Sequence, residues 1–208
     1  MIKALFLIFE PDVQWDRVAQ SQRSLKFMLF SYLMPMLLVV AAVEGFGMIV
    51  WGKWQSNIGQ TKHFLLGEAL IFETGQLLMT FVAVAVCAYL VKSVGDTFHI
   101  RNTYQQAFTT VIYGLSPLFL FRLFDVFPFV NPWISWAIGI MLSVKTLYSG
   151  IPRIMEPDPP NAFGLFVMSS ILLAMVAGLE RFITAWYLSG HCQPISNLIF
   201  HIASKLPL

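Results

Sequence analysis

Apolar residues gather into five long runs along the chain, separated by short polar stretches. About 20 mostly apolar residues, rising 1.5 Å each, cover the roughly 30 Å of hydrocarbon in a bilayer. The pattern predicts an all-α bundle of five transmembrane helices: Phe27 to Val50, Phe64 to Val91, Tyr104 to Phe124, Pro132 to Tyr148 and Ala162 to Leu188. The fourth run is the shortest; Pro132 suits its first turn, and a slightly thinned bilayer lets it cross. Pro35 and Pro117 fall inside predicted spans and should kink them, with the Ser31 or Ser116 hydroxyl or a neighbouring helix covering the freed carbonyls. Before the first span, PDVQWDRVAQSQRSLK (11–26) sets Val13, Val18 and Leu25 among charges, acids early and bases late. That order suits a helix dipole and predicts an amphipathic helix on the membrane surface, with Trp15 among the headgroups. Behind Pro194, the spacing of Ile195, Leu198, Ile199, Ile202 and Leu206 predicts a second interfacial helix, too short to cross. The chain thus divides into an arm (1–26), a five-helix domain (27–188) and a tail (189–208).

Composition agrees with the pattern. Of 208 residues, 57% are hydrophobic and 12% charged, too little polar surface to coat a soluble globule. The 13 basic and 11 acidic side chains are too balanced to suggest a nucleic-acid partner. Their placement orients the chain. Lys3, Arg17, Arg23, Lys26, Lys92, Arg101, Lys145 and Arg153 fall on one side; Lys53, Lys62, Arg122, Arg181 and Lys205 fall on the other. The richer side is cytoplasmic by the positive-inside rule, so the N-terminus is expected inside and the C-terminus outside. Trp51, Trp54, Trp133, Trp136, Trp186 and Tyr187 mark the outer ends of the spans, and Tyr89, Tyr104 and Tyr148 the inner ends. MIKALFLIF (1–9) has no small-residue cleavage site after it and is expected to be retained. Cys87 and Cys192 are expected near opposite faces, too far apart for a disulfide.

The charges inside the spans are not scattered. Glu44, Glu68, Glu73, Arg122, Asp125, Glu180 and Arg181 all fall in the predicted outer half of the bilayer, whereas Lys145 alone falls in the inner half and can snorkel. Two arginines then face five carboxylates in a poorly solvated layer. One reading is an ion-pair network that locks the helices together. The other is a proton or cation site in an outward-facing cavity, with Glu73, the deepest, at its heart.

Other chemistry is not signalled. GxSxG, HExxH, P-loop and dinucleotide patterns are absent, so no catalytic, cofactor or metal residue is assigned and no enzymatic activity is expected. His63, His191, Cys192 and His201 match no ligand spacing. Ser170, Ala174 and Gly178 form a small-residue row suited to close helix packing.

Three short stretches carry a resemblance: FEPDVQWDRVA with Pro11 and Trp15, YGLSPLFLF with Tyr113 and Pro117, and LYSGIPRIM with Tyr148, Gly150 and Pro152. In this order, around five predicted spans from about residue 8 to 188, the chain resembles the Yip domain family (Ypt/Rab-interacting protein type), most closely its bacterial inner-membrane branch. The resemblance implies a cytosolic N-terminus, which agrees with the orientation read from the charges. Eukaryotic members are associated with Rab-type GTPases and vesicle formation through a long acidic cytosolic region; only about 26 residues precede the first span here, so a GTPase partner is not expected. The sequence therefore predicts a non-enzymatic inner-membrane protein that acts, in membrane organisation or trafficking, through helix packing and through lipid, a second copy or another membrane protein. A small transporter or channel built on the outer carboxylates is the alternative.

Overall fold

The computed structural model describes residues 2–21, 23–55, 60–189, 191, 197–199 and 201–202. It is 83% helical, with five helices long and apolar enough to cross a membrane. Two short helices, α1 (Ile2–Phe9) and α2 (Pro11–Ser21), precede the spans α3 (Leu25–Val50), α4 (Leu66–Thr97), α5 (Tyr104–Val126), α6 (Pro132–Ile154) and α7 (Pro159–Leu188). A hairpin of β1 (Lys53–Gln55) and β2 (Gln60–Lys62), paired antiparallel with Lys53 opposite Lys62, joins α3 to α4. The sequence pattern did not predict it. The hairpin marks one end of the bundle and the arm helices α1 and α2 mark the other.

The all-α fold follows from the apolar runs, but several boundaries differ from those expected. The fourth span runs on to Ile154, 23 residues or about 34 Å, so it crosses without thinning of the bilayer. Gly150 and Pro152 lie within it, beyond the predicted end at Tyr148. The second span extends to Thr97. The fifth begins at Pro159 rather than at Ala162, and the Asn161 amide donates to the Phe98 carbonyl at 3.3 Å. Pro35 opens a π-turn at Leu29–Leu33, since it brings no N–H for the usual helical bond and its ring crowds the preceding turn. Pro117 divides α5 into Tyr104–Gly114 and Ser116–Val126. There the Ser116 hydroxyl donates to Ile112 O at 3.0 Å and meets the Tyr32 hydroxyl at 2.6 Å. Of the five spans, α5 is the buried one, with 72% of its apolar window inside the protein.

Trp15 is not among the headgroups. It is wholly buried, because α2 packs along α6 and drives the indole into the bundle. Its Nε1 donates to Thr146 O at 2.9 Å, and its ring meets Tyr113 edge-on at 6.1 Å. Tyr113 in turn lies 4.4 Å from Tyr32, centroid to centroid. Gly150 provides the seat: a Cβ there would stand 2.4 Å from Trp15 Cε2 and Cζ2. Arg153 closes over the arm, pairing with Asp12 at 3.0 Å and Asp16 at 2.8 Å. Pro11 supplies the first turn of α2, where its missing N–H is harmless. The core follows: Leu7, Trp15, Met28, Leu33, Met36, Val91, Val111, Ile112, Tyr113, Leu147, Ile151 and Leu165 form one cluster at the arm end and centre. Of the tail, Cys192, Pro194, Ile195, Lys205 and Leu206 lie outside the described residues; Leu198 and Ile202 are exposed.

Candidate functional site

The buried charges meet at the hairpin end, and local geometry puts them there. Glu73, Gln76 and Thr80, at i, i+3 and i+7, share one buried face of α4. The last five residues of α5, Arg122–Val126, tighten into a 3₁₀ turn, where side chains three apart eclipse, so Arg122 and Asp125 project to the same side. Glu180 and Arg181 are consecutive on α7 and splay toward different partners. Glu44 reaches the group because Gly47 lets α3 touch that turn. A Cβ at Gly47 would stand 2.6 Å from the Val126 carbonyl oxygen.

Arg122 is the hub. Its Nε lies 3.3 Å from Glu44 Oε2, and its Nη1 lies 3.4 Å from both Glu180 Oε1 and the Thr80 hydroxyl. The Thr80 hydroxyl lies 2.5 Å from Glu180 Oε1, and the Gln76 amide donates to Glu44 Oε2 at 3.3 Å. Beside this set, Arg181 Nη2 donates to Asp125 Oδ2 at 2.6 Å and to Pro132 O at 3.0 Å. Lys53 folds back from the hairpin, donating to the Asp125 carbonyl and lying 4.0 Å from Glu44 Oε1. These bonds connect α3, α4, α5 and α7.

Of the seven charges singled out in the sequence, Glu44, Arg122, Asp125, Glu180 and Arg181 are joined by these bonds, and Glu73 stands beside them. Its Cγ lies 3.3 Å from where a Cβ on Gly45 would be. Glu68 bonds elsewhere, accepting from the Leu65 N–H at 3.0 Å as a helix cap and pairing with Lys62 at 3.1 Å. Lys53 entered the sequence reading only as a basic residue of the outer side, and Gln76 and Thr80 did not enter it at all; the last two carry a signal, their helical spacing from Glu73. With Lys53 counted, three cations face four carboxylates: Glu44, Glu73, Asp125 and Glu180. The three cations pair with Glu44, Asp125 and Glu180, and Glu73 is the carboxyl left over. Glu73 makes no ion pair among the described residues, and its buried Oε1 has no hydrogen-bond partner.

Two cavities adjoin the cluster. A small one of about 30 Å³ is lined by Arg122, Asp125, Ser135, Trp136, Glu180 and Arg181, among others. Asp125 Oδ1, Ser135 Oγ, Trp136 Nε1 and Arg181 Nε all lack a protein partner, so the space has the size and the polar walls that one water needs. A larger cavity of about 700 Å³ opens at the hairpin end, with Glu44, Asp125 and Arg181 in its wall and Trp54, Phe127, Trp133 and Trp186 around them.

The family model of the Yip1 domain matches residues 5–179. The chain belongs to the Yip1 domain family. No curated protein and no solved structure matches it. The Yip1 match takes in the arm and all three stretches that carried the resemblance, and the structure shows what several of those residues do. Trp15, Tyr113 and Gly150 form one contact set in which ring, edge and seat are mutually dependent. Pro117 starts the second half of α5. Tyr148 stays outside the set, exposed and packed edge-on against Phe166 at 5.3 Å. The match ends one residue before Glu180, so the α7 half of the ion cluster lies beyond it.

Proposed function

We propose that this Yip1-family chain is a non-enzymatic, multi-pass protein of a bacterial inner membrane that organises the membrane through lipid and protein contacts. The arm end faces the cytoplasm and the hairpin end faces outward, as the excess of Lys and Arg at the arm end favours. The observation that carries this reading is how the buried charges are spent. Arg122, Arg181, Lys53, Glu44, Asp125 and Glu180 are bound to one another across four elements, the arrangement of a lock between helices. Among the described residues, no group of three or more His, Cys, Asp or Glu side chains is placed to hold a metal. Reconstitution of the purified protein into vesicles at increasing density, with vesicle size and protein-to-protein energy transfer as readouts, tests the proposal. Density-dependent clustering or reshaping is expected; an inert monomer at every density would contradict it.

One observation favours a second reading. Glu73 supplies the uncompensated carboxylate, so a proton or small cation could bind there. Flux assays in proteoliposomes for H⁺, Na⁺, K⁺ and divalent cations decide this: flux abolished by Glu73→Gln supports a transport site, and no flux in the wild type eliminates it.

A further inference from the structure

The charge order of the arm suits a helix lying flat on the membrane, but its exposed side does not. α1 and α2 form one rod. Glu10 N–H donates to Phe6 O at 2.8 Å and Gln14 N–H to Glu10 O at 3.3 Å, so the backbone ladder runs past Pro11, which removes a single rung. One side of the rod is turned to the protein: Leu7, Gln14 and Trp15, at i, i+7 and i+8, are all buried. The opposite side changes character along its length. Leu5, Phe6, Phe9 and Val13 are exposed there, Phe9 by 78%, and Asp16 and Gln20 continue the same side. The change falls at residues 10–13, where Asp12 is paired with Arg153 at 3.0 Å. An interfacial helix keeps its apolar stripe along its whole length and turns a polar face to water. A side that is apolar first and polar afterwards belongs to a rod that passes from hydrocarbon into headgroups.

Depth agrees with this. Trp15 of α2 meets Thr146 and Gly150, in the last turns of α6, whereas α1 packs against Ser116–Phe121 of α5. Ser116 follows the first residue of α5, Tyr104, by 12 positions, which is about 18 Å along the axis. Half of a hydrocarbon core is roughly 15 Å, so α1 is level with the centre of the bilayer. Every residue of α1 except Lys3 is apolar, and a helix apolar on all sides is surrounded by protein or by lipid tails. Leu7 meets the protein; Leu5, Phe6 and Phe9 do not. Lys3 is of the type whose long stem lets the ammonium snorkel.

We propose that the arm enters the bilayer end-on and that Leu5, Phe6, Phe9 and Val13 form a contact surface for lipid acyl chains, with α2 leaving the hydrocarbon at the arm end. Acyl chains rather than a second copy of the chain are the occupant. The tails are as apolar as the face itself, so no hydrophobic gain draws a protein onto it. The arm thereby adds a sixth embedded helix, over part of the thickness, to the five spans. The proposal names one contact through which the lipid-contact reading above works, and it rests on that reading.

The test uses the full chain in lipid nanodiscs, with Cys87→Ala and Cys192→Ser, and a nitroxide spin label on Phe6→Cys, Phe9→Cys, Val13→Cys or Gln20→Cys in turn. Electron paramagnetic resonance reads collisions with oxygen, which concentrates in hydrocarbon, and with a water-soluble nickel chelate. The oxygen-to-nickel ratio should be highest at position 6, fall through 9 and 13, and be several-fold lower at 20. Similar ratios at 6, 9 and 13, as a flat helix gives, would overturn the proposal. So would exclusion of both reagents from all three, as a covering second copy gives. Independently, Phe9→Asp sets a charge among the acyl chains and should speed trypsin cleavage at Arg17 several-fold, whereas Gln20→Asp should not; equal cleavage in the two would also overturn it. Labels that report water, in a protein that still clusters or reshapes vesicles, would sink the embedded arm and leave the broader lipid-contact reading standing. An embedded arm in an inert monomer would do the reverse.

Discussion

Gly150→Ala separates two opposing expectations. In a helix interior Ala is favoured over Gly by roughly 0.5–1 kcal/mol, so propensity alone predicts a more stable protein. Packing predicts the reverse. The new methyl would stand 2.4 Å from two carbons of Trp15 and 2.8 Å from a third, where carbon atoms normally rest about 3.5–4.0 Å apart. The indole has little room to yield, being fully buried, bonded to Thr146 O and held edge-on by Tyr113. Shifting it by about 1 Å would sacrifice the 2.9 Å hydrogen bond, worth about 1 kcal/mol, and strain the core by a further 1–3 kcal/mol. Complete ejection would forfeit burial of the kind that costs about 3–5 kcal/mol in Trp→Ala substitutions. The net expectation is destabilisation by about 1–4 kcal/mol with loosening of α2. Thermal unfolding in detergent reads the first part, and trypsin cleavage at Arg17, inside α2, reads the second. Trp15→Phe, with its smaller ring, should cost stability alone yet weaken the effect of Gly150→Ala, because residues in contact are non-additive. A Gly150→Ala protein as stable and as protease-resistant as the wild type would refute the arm-seat reasoning.

The remaining expectations concern the hairpin end. Asp125→Asn leaves Arg181 charged and buried without its carboxylate and should cost about 3–5 kcal/mol in unfolding experiments; adding Arg181→Met should restore much of that. Glu73→Gln removes no hydrogen bond or ion pair found here, so its unfolding temperature should match or exceed that of the wild type, whereas a loss of more than about 1 kcal/mol would mean a partner exists. Gly47→Ala drives a methyl against the Val126 backbone and should destabilise by about 1–3 kcal/mol, while Gly75→Ala, with nothing within 4 Å, should stabilise by up to about 1 kcal/mol. Gly150→Ala and Asp125→Asn should combine additively within about 0.5 kcal/mol, as measured in the double variant.

Hydropathy made the spans legible because each must cross hydrocarbon whatever its neighbours do. Their extensions to Thr97 and Ile154 were not, since Lys92 and Arg153 read as loop charges until their partners were known: Asp96 for one, Asp12 and Asp16 for the other. Trp15 looked interfacial because its flanks are charged; only a glycine 135 positions away, on a helix packed alongside, makes a seat for it. Membership of an intramembrane charge cluster was visible as depth along each helix, whereas rotation about each axis was not. Glu68 lies at the right depth but caps its own helix. Lys53 lies outside every span, yet a hairpin starting at Gly52, with its positive φ of 72°, turns it back inward.

Both ends of the protein depend on α5, and its break at Pro117 bears on how they relate. The first half carries Tyr113 to the arm; the second carries Arg122 and Asp125 to the ion cluster. An unbroken helix would transmit a tilt at one end directly to the other through its ladder of backbone bonds. Proline removes a rung of that ladder and relaxes the constraint. The two halves are tied again by a local bond set, Ser116 to Ile112 and to the Tyr32 hydroxyl of α3. The arm seat and the cluster are therefore better described as two separately held clamps on a jointed strut than as one rigid network. On that description, a disturbance at the arm seat is absorbed at the joint and leaves the ion cluster in place.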